Sequence, residues 1–211
     1  MSLEAIYAAV LDGNAPAAKA QTQIALDAGE SAESILNTAC IPAMSEVGSL
    51  FEMGEKFVPE MLISARAMNA SMELLKPLLA AAGVEQIGTV VVGTVAGDLH
   101  DIGKNLVAMM MEGAGFKIID LGTDVPPAQF VDSMKTDKPD IIAMSALLTT
   151  TTKSISSTIQ ALEEAGVRGE VKIMVGGAPV TQDFADHVGA DGFAPDASSA
   201  ARRAKELLAI A

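Results

Sequence analysis

The sequence predicts an α/β protein in two parts: a four-helix bundle, then a parallel five-stranded sheet with helices on both faces. Three observations carry this. Apolar residues recur at helical spacing through about the first 80 residues. From Val84 the pattern changes to continuous apolar runs alternating with helix-like ones. The loop after the first such run holds His100, one of only two histidines in the chain, between aspartates and glycines.

In the first part, Asn14-Ala15-Pro16 and Ser31-Ala32-Glu33 read as helix starts. Each offers a capping side chain, followed by a proline or an acidic residue in the first turn. Ile35, Ala39 and Met44, then Met61, Ala65, Met68, Met72 and Leu75, recur at three- and four-residue steps or close to them. Pro42, Gly54 and Pro59 punctuate the third and fourth helices. Four helices on short turns make a small bundle, residues 1–82. The boundary falls near Ala81–Gln86, where Gly83 interrupts a helical run.

In the second part, residues 87–211, the strand-like runs are Ile87–Val95, Phe116–Leu121, Ile141–Ser145 and Val171–Val175. A short fifth lies at Asp191–Phe193. Lys104–Glu112 is helical after the His100 loop, and Ala197–Ile210 closes the chain as a helix. Runs buried on both faces belong to a parallel sheet. Five units of this kind imply the flavodoxin-like, Rossmann-type strand order.

Composition narrows the function. With 211 residues and half of them apolar, the chain can build a large core. Its 12 methionines fill gaps in helix packing, or form a compliant binding surface. A net charge of −13 argues against nucleic acid and anionic membranes, which need basic patches. Cys40 is the only cysteine, so no intrachain disulfide forms. Met1-Ser2-Leu3-Glu4 does not open as a secretory signal, and no apolar run is long enough for a membrane span. The expected location is cytoplasmic.

The most informative segment is Gly97-Asp98-Leu99-His100-Asp101-Ile102-Gly103-Lys104-Asn105. It lies at the carboxyl end of a strand, where open α/β sheets bind ligands. An imidazole there can ligate a metal while a carboxylate accepts the proton on its other nitrogen. The third strand ends in Ser145-Ala146-Leu147-Leu148-Thr149-Thr150-Thr151-Thr152, whose hydroxyls either meet polar ligand groups or cap the next helix. Gly176 and Gly177 end the fourth strand. Paired glycines let a flat ligand approach the backbone, or simply make a turn. Gly189–Ala197 reads as turn chemistry until joined to the others.

Asp98-x-His100-x-x-Gly103, Ser145-x-Leu147 and Gly176-Gly177 together resemble the signature of cobalamin-binding domains. The run Gly48–Glu60 resembles the helical cap that precedes that domain in methyl-transferring members. Nearly the whole chain is covered, with both halves in the expected order. The resemblance is strongest to the small corrinoid proteins of methyltransferase systems for methylamines or methanol. The cobalamin domain of methionine synthase is a larger relative.

The resemblance implies cobalamin, alternating between methylcobalamin and cob(I)alamin, bound with its own lower base displaced. His100 would be the lower ligand of cobalt, Asp98 would bond the other imidazole nitrogen, and Thr151 would extend the relay. Family members usually carry serine at that last position. Gly97, Asp101 and Ile102 would contact the cofactor. Ser145 and Thr149 would meet the nucleotide tail, with Leu147 beside it. Gly103, Gly176 and Gly177 would leave room for the tail, and Phe193, Ala194, Pro195 and Asp196 would wall its pocket. Phe51, Val58 and Met61 would cap the upper face of the corrin, and the Ala81–Gln86 linker would be the hinge that uncovers it.

The implied partners are a donor-specific methyltransferase, a second corrinoid-dependent methyltransferase acting on a thiol or pterin, and a reductive activase. The chain is thus a methyl carrier and one component of an enzyme system. Alternatives are the small subunit of an adenosylcobalamin-dependent mutase, a cobalamin sensor, and a flavodoxin-like module that binds no corrinoid.

Overall fold

The computed structural model describes residues 2–82 and 86–210, and the chain divides into two compact units. One comprises residues to Gln86 together with Gly113–Gly115, the other Ile87–Glu112 and Phe116 onward. Gly83, Val84 and Glu85, the centre of the expected hinge, lie outside the described residues.

The helical unit holds α1 (Ser2–Leu11), α2 (Ala15–Asp27), α3 (Ala32–Ile35), α4 (Ile41–Glu52) and α5 (Val58–Ala81). Both expected caps are in place: Asn14 accepts the Ala17 N–H and Ser31 accepts the Ser34 N–H. Between α3 and α4 the helix does not stop but widens for one turn, Leu36–Cys40, where the Ile41 N–H reaches back five residues to Leu36. Pro42 accounts for it. Proline has no N–H for the carbonyl four residues back and its ring crowds that carbonyl, so the widened turn ahead of it relieves the clash. The result is four helical rods.

The bundle interior is mainly Ala, Met, Ile and Val, with buried Thr22 donating to Ser71 at 2.9 Å. Cys40 is fully buried beside this pair. Burial pushes its thiol up to about 12, against a smaller downward pull from the Ser71 hydrogen bond. A thiolate is the reactive form. A thiol reagent at neutral pH is therefore expected to label the native protein no faster than the bundle opens. Stoichiometric labelling within the mixing time, before any loss of helical circular dichroism, would contradict this.

The second unit alternates strands and helices: β1 (Thr89–Thr94), α6 (Ile102–Gly113), β2 (Lys117–Asp120), α7 (Pro127–Thr136), β3 (Ile141–Ser145), α8 (Thr152–Glu164), β4 (Lys172–Gly176), α9 (Gln182–Val188), β5 (Gly192–Phe193) and α10 (Ala197–Leu207). A single turn, Arg168–Glu170, precedes β4. All strands are parallel, in the order β2-β1-β3-β4-β5. The central strands are buried along nearly their whole length, whereas the edge strand β2 exposes Lys117 and Asp120 at its ends. One core cluster centres on Val91, Ile142 and Ile173 of three adjacent strands, with Phe130 of α7 and Ile155 and Leu162 of α8 against it. Burying each such side chain contributes about 1.5–3 kcal/mol.

Register places the functional residues. Thr94 pairs with Ser145, Ser145 with Gly176, and Val175 with Phe193, so these strands end level at one sheet edge. The chain runs outward from β1 to β2, then returns across β1 to β3. The loops leaving β1 and β3 therefore start side by side at this edge, where the strand order reverses.

Candidate functional site

Asp98 is the centre of the site. Val95 accepts the Asp98 N–H at 3.1 Å, and Gly97 has φ +83, a left-handed turn that glycine enters without cost from a Cβ. This turn drives Asp98 inward until it is 1% exposed.

Four donors converge on its carboxylate. The Leu147 N–H and the Thr151 hydroxyl reach Oδ2, each at 2.7 Å. His100 Nδ1 at 2.7 Å and the His100 backbone N–H at 3.1 Å reach Oδ1. Burial alone would raise the Asp98 pKa. The Leu147, Thr151 and His100 bonds reverse that and hold the carboxyl well below the usual carboxylate range.

An anionic Asp98 sets the tautomer of the neutral ring. Since Oδ1 can only accept, Nδ1 carries the proton and Nε2 keeps a lone pair. The His100 side chain is 53% exposed, and among the described residues nothing bonds Nε2. His100 is thus an imidazole held on its Nδ1 side and open on its Nε2 side.

The surroundings are apolar. Among the described residues, the large hydrophobic side chains exposed on this unit are Leu99, Ile102, Leu147 and Leu148, all on the loops leaving β1 and β3 or, for Ile102, at the first position of α6. Four exposed aliphatic groups on the loops beside this imidazole suit the seating of a large, mostly apolar group, and its free nitrogen lone pair suits a metal carried on that group. This fits a corrinoid.

Several expected residues act differently from their simplest reading. Thr151 makes no side-chain cap on α8; its hydroxyl lies between Asp98 and the Leu148 carbonyl. Leu147 contributes its backbone N–H as well as an exposed side chain. Gly177 has φ +121, and a Cβ there would lie 1.9 Å from the Ala146 oxygen, so the fold itself demands this glycine. At Gly176 a Cβ would make only an ordinary contact with the Ala194 carbonyl, and at Gly103 it would meet open space.

Asp101 accepts from Asn105 and so starts α6, while Asp196 accepts the Ser199 N–H and caps α10. Phe193 packs on the sheet core, Ala194 is buried and Pro195 is exposed. Ser145 is half-buried at the strand edge and Thr149 is exposed. Phe51 on α4 and Val58 at the start of α5 are half-buried, and Met61 is buried.

Sequence reasoning missed three supports. Buried Thr94 donates to the His100 carbonyl at 2.8 Å, Ser154 donates to the Ala96 carbonyl at 2.9 Å, and Asp124 accepts the Gly97 N–H at 2.7 Å. A threonine closing an apolar strand was the one signal available.

Fold and site together define a B12-binding protein, and comparison with known proteins agrees. Two family models, each described as a B12 binding domain, match residues 2–76 and 88–204. Trimethylamine corrinoid protein 1 of Methanosarcina mazei is 46% identical over 186 residues, 87% of this chain and 86% of that one. Dimethylamine corrinoid protein 3 of Methanosarcina acetivorans is 45% identical over 176 residues, 83% of each chain. Among solved structures, the methanol:cobalamin methyltransferase complex of Methanosarcina barkeri aligns with TM-score 0.87 and 29% identity, covering 99% of this chain and 80% of that one. A cobalamin-binding protein from Desulfitobacterium hafniense aligns with TM-score 0.82 and 32% identity, covering 97% and 98%.

The chain belongs to the corrinoid proteins of methylamine and methanol-type methyltransferase systems. It is a cobalamin-binding protein that carries methyl groups between methyltransferases. Among the described residues, no helix is long and apolar enough to cross a membrane.

Proposed function

We propose that this chain holds its corrinoid with the cofactor's own base displaced and His100 in its place, and that it accepts methyl groups originating from a methylated amine. The observation that carries the first part is the Asp98–His100–Thr151 network, which leaves Nε2 as an open lone pair on loops that also expose four aliphatic side chains. Similarity to trimethylamine and dimethylamine corrinoid proteins supports the second.

When bound, the corrinoid supplies a cobalt centre able to take up and release a methyl group. The chain's residues hold and tune that centre. Asp98 fixes the imidazole's tautomer and orientation, as carboxylates behind metal-bound histidines do. Thr151 anchors Asp98 against rotation. Leu99, Ile102, Leu147 and Leu148 exclude water from the ligated face. The level ends of β3, β4 and β5, at Ser145, Gly176 and Phe193–Asp196, provide the channel for the nucleotide tail. Phe51, Val58 and Met61 of the helical unit would shield the bound cofactor in this reading. A donor-specific methyltransferase and a second one acting on a thiol or pterin are the partners, with a reductive activase restoring the reduced cofactor.

His100→Ala tests the ligand assignment. Mixed with hydroxocobalamin, the wild type is expected to show a base-displaced, nitrogen-ligated spectrum. The variant, if it retains cofactor, is expected to show a water-ligated one. Identical spectra would remove His100 from the role. Supplying methyltransferases for mono-, di- and trimethylamine and for methanol, each with its own donor, tests the second part. Methylation only by the methanol enzyme would overturn the amine assignment.

A further inference from the structure

We propose that Asp124, on the loop between β2 and α7, is a positioning residue that sets the pose of His100 by clasping the turn beneath it. The proposal rests on His100 being the corrinoid's ligand only for its functional consequence; the clasp itself is a property of the free chain.

The clasp has two points. The Asp124 carboxylate accepts the Gly97 N–H at 2.7 Å, and the Asp124 N–H donates to the Asp98 carbonyl at 2.9 Å. Both can form together because Asp124 is left-handed, with φ +54. Only a few residue types enter that region readily; aspartate and asparagine are among them, and β-branched residues pay most. A non-glycine residue held there beside a ligand site is the pattern of strain tied to function.

The clasp fills a gap in the support of the loop. Residues from the β3 side hold Asp98 through Leu147 and Thr151, and Ser154 holds the Ala96 carbonyl. Thr94 of β1 holds the His100 carbonyl. On the β2 side, Asp124 holds the two peptides that flank the Gly97–Asp98 bond, through the Gly97 N–H on one side and the Asp98 carbonyl on the other. The loop carrying Asp124 is itself anchored, since Val125 donates to the Thr94 carbonyl and Thr94 donates its N–H to Gly122. Rotation of either flanking peptide would turn the Asp98 backbone and swing its carboxylate away from Nδ1, so the clasp acts on the imidazole through Asp98. A ligand displaced by about 1 Å loses much of its effect.

The test compares Asp124→Gly, which keeps the left-handed backbone and removes only the carboxylate, with Asp124→Asn, which keeps an acceptor oxygen. In the cofactor-free protein, nitrogen-15 shifts of His100 report how much of the ring carries its proton on Nδ1. In the cobalamin-loaded protein reduced to the paramagnetic state, electron spin resonance reports nitrogen against water as the lower ligand. Asp124→Gly is expected to shift both ratios toward the unheld form by on the order of tenfold, the weight of one well-placed hydrogen bond. Asp124→Asn is expected to restore most of it.

Wild-type ratios in Asp124→Gly, with the same melting temperature, would overturn the proposal. So would failure of Asn to rescue, because any structural lesion would then do. A tautomer shift in the free protein, with a wild type that shows no nitrogen ligation, would confirm the clasp and overturn the ligand role of His100 instead.

Discussion

Gly177→Ala is expected to destabilise the sheet unit by roughly 3 kcal/mol, lowering its melting temperature by about 6–12 °C. Two causes add. The backbone at φ +121 is a region that only glycine populates, and forcing another residue into it costs about 1–3 kcal/mol. The new Cβ would also lie 1.9 Å from the Ala146 oxygen and 2.8 Å from its carbonyl carbon. Both are backbone atoms, so no side chain can rotate to relieve the clash. The β3–α8 loop must move. Ala146 is followed by Leu147, whose N–H holds Asp98, so the movement also loosens the imidazole.

Gly103→Ala is the matched comparison, because a Cβ there meets nothing within 4 Å and the position is helical. Its melting temperature should hold or rise slightly, since alanine is the better helix former. If the nucleotide tail passes over Gly103, corrinoid retention falls in this variant while stability does not. Calorimetry on both variants, with and without cobalamin, separates the two effects. A Gly177→Ala protein as stable as wild type would show that the loop is far softer than its backbone packing implies.

That contrast also indicates what was legible in the sequence. The paired glycines were readable as a pair, but not that one is required by chain geometry while the other would admit a Cβ in ordinary contact. That difference depends on where the Ala146 carbonyl points. The strands were legible because burial on both faces leaves continuous apolar runs such as Thr89–Thr94 and Ile141–Ser145. Caps at Asn14 and Ser31 were legible because the capping atom is local in sequence.

The start of α6 was placed two residues late, since Asp101 and Gly103 look like loop residues. In fact the Asp101 carboxylate accepts from the Asn105 side chain at the start of the helix, and Gly103 lies in its first turn. Pro42 marked a break, yet the helix continues through it on a widened turn, which apolar periodicity cannot resolve. At the site, Asp98, His100 and Thr151 were legible because side chains do the work. The Leu147 N–H was not, because any residue but proline presents the same group. Asp124 was hidden for a related reason: its role depends on a left-handed backbone and on a neighbouring loop brought alongside by the parallel pairing of β1 and β2.

Asp98→Asn should have the second large effect, and its pH dependence identifies the cause. The buried carboxylate accepts from four N–H and O–H groups. An amide of the same shape has one acceptor oxygen and presents an NH2 where donors already point. At least one buried donor is then unpaired, and the expected cost is about 2–4 kcal/mol. The imidazole also loses the anion that fixed its Nδ1 proton, so nitrogen ligation weakens in the loaded protein.

The sign of the pH effect follows from the direction of the shift. The folded-state pKa of Asp98 lies below the unfolded value of 3.8, so the stability it contributes is fully present above 3.8. It is lost as the pH falls through 3.8 toward the folded value. The asparagine variant does not titrate there. The stability gap between wild type and Asp98→Asn should therefore stay level from pH 8 to about 5 and narrow only in stronger acid. Urea unfolding of both proteins across that range measures the gap directly. A gap that already closes between pH 7 and 5 would mean that another group carries the charge dependence, and that Asp98 is not the anion on which the imidazole rests.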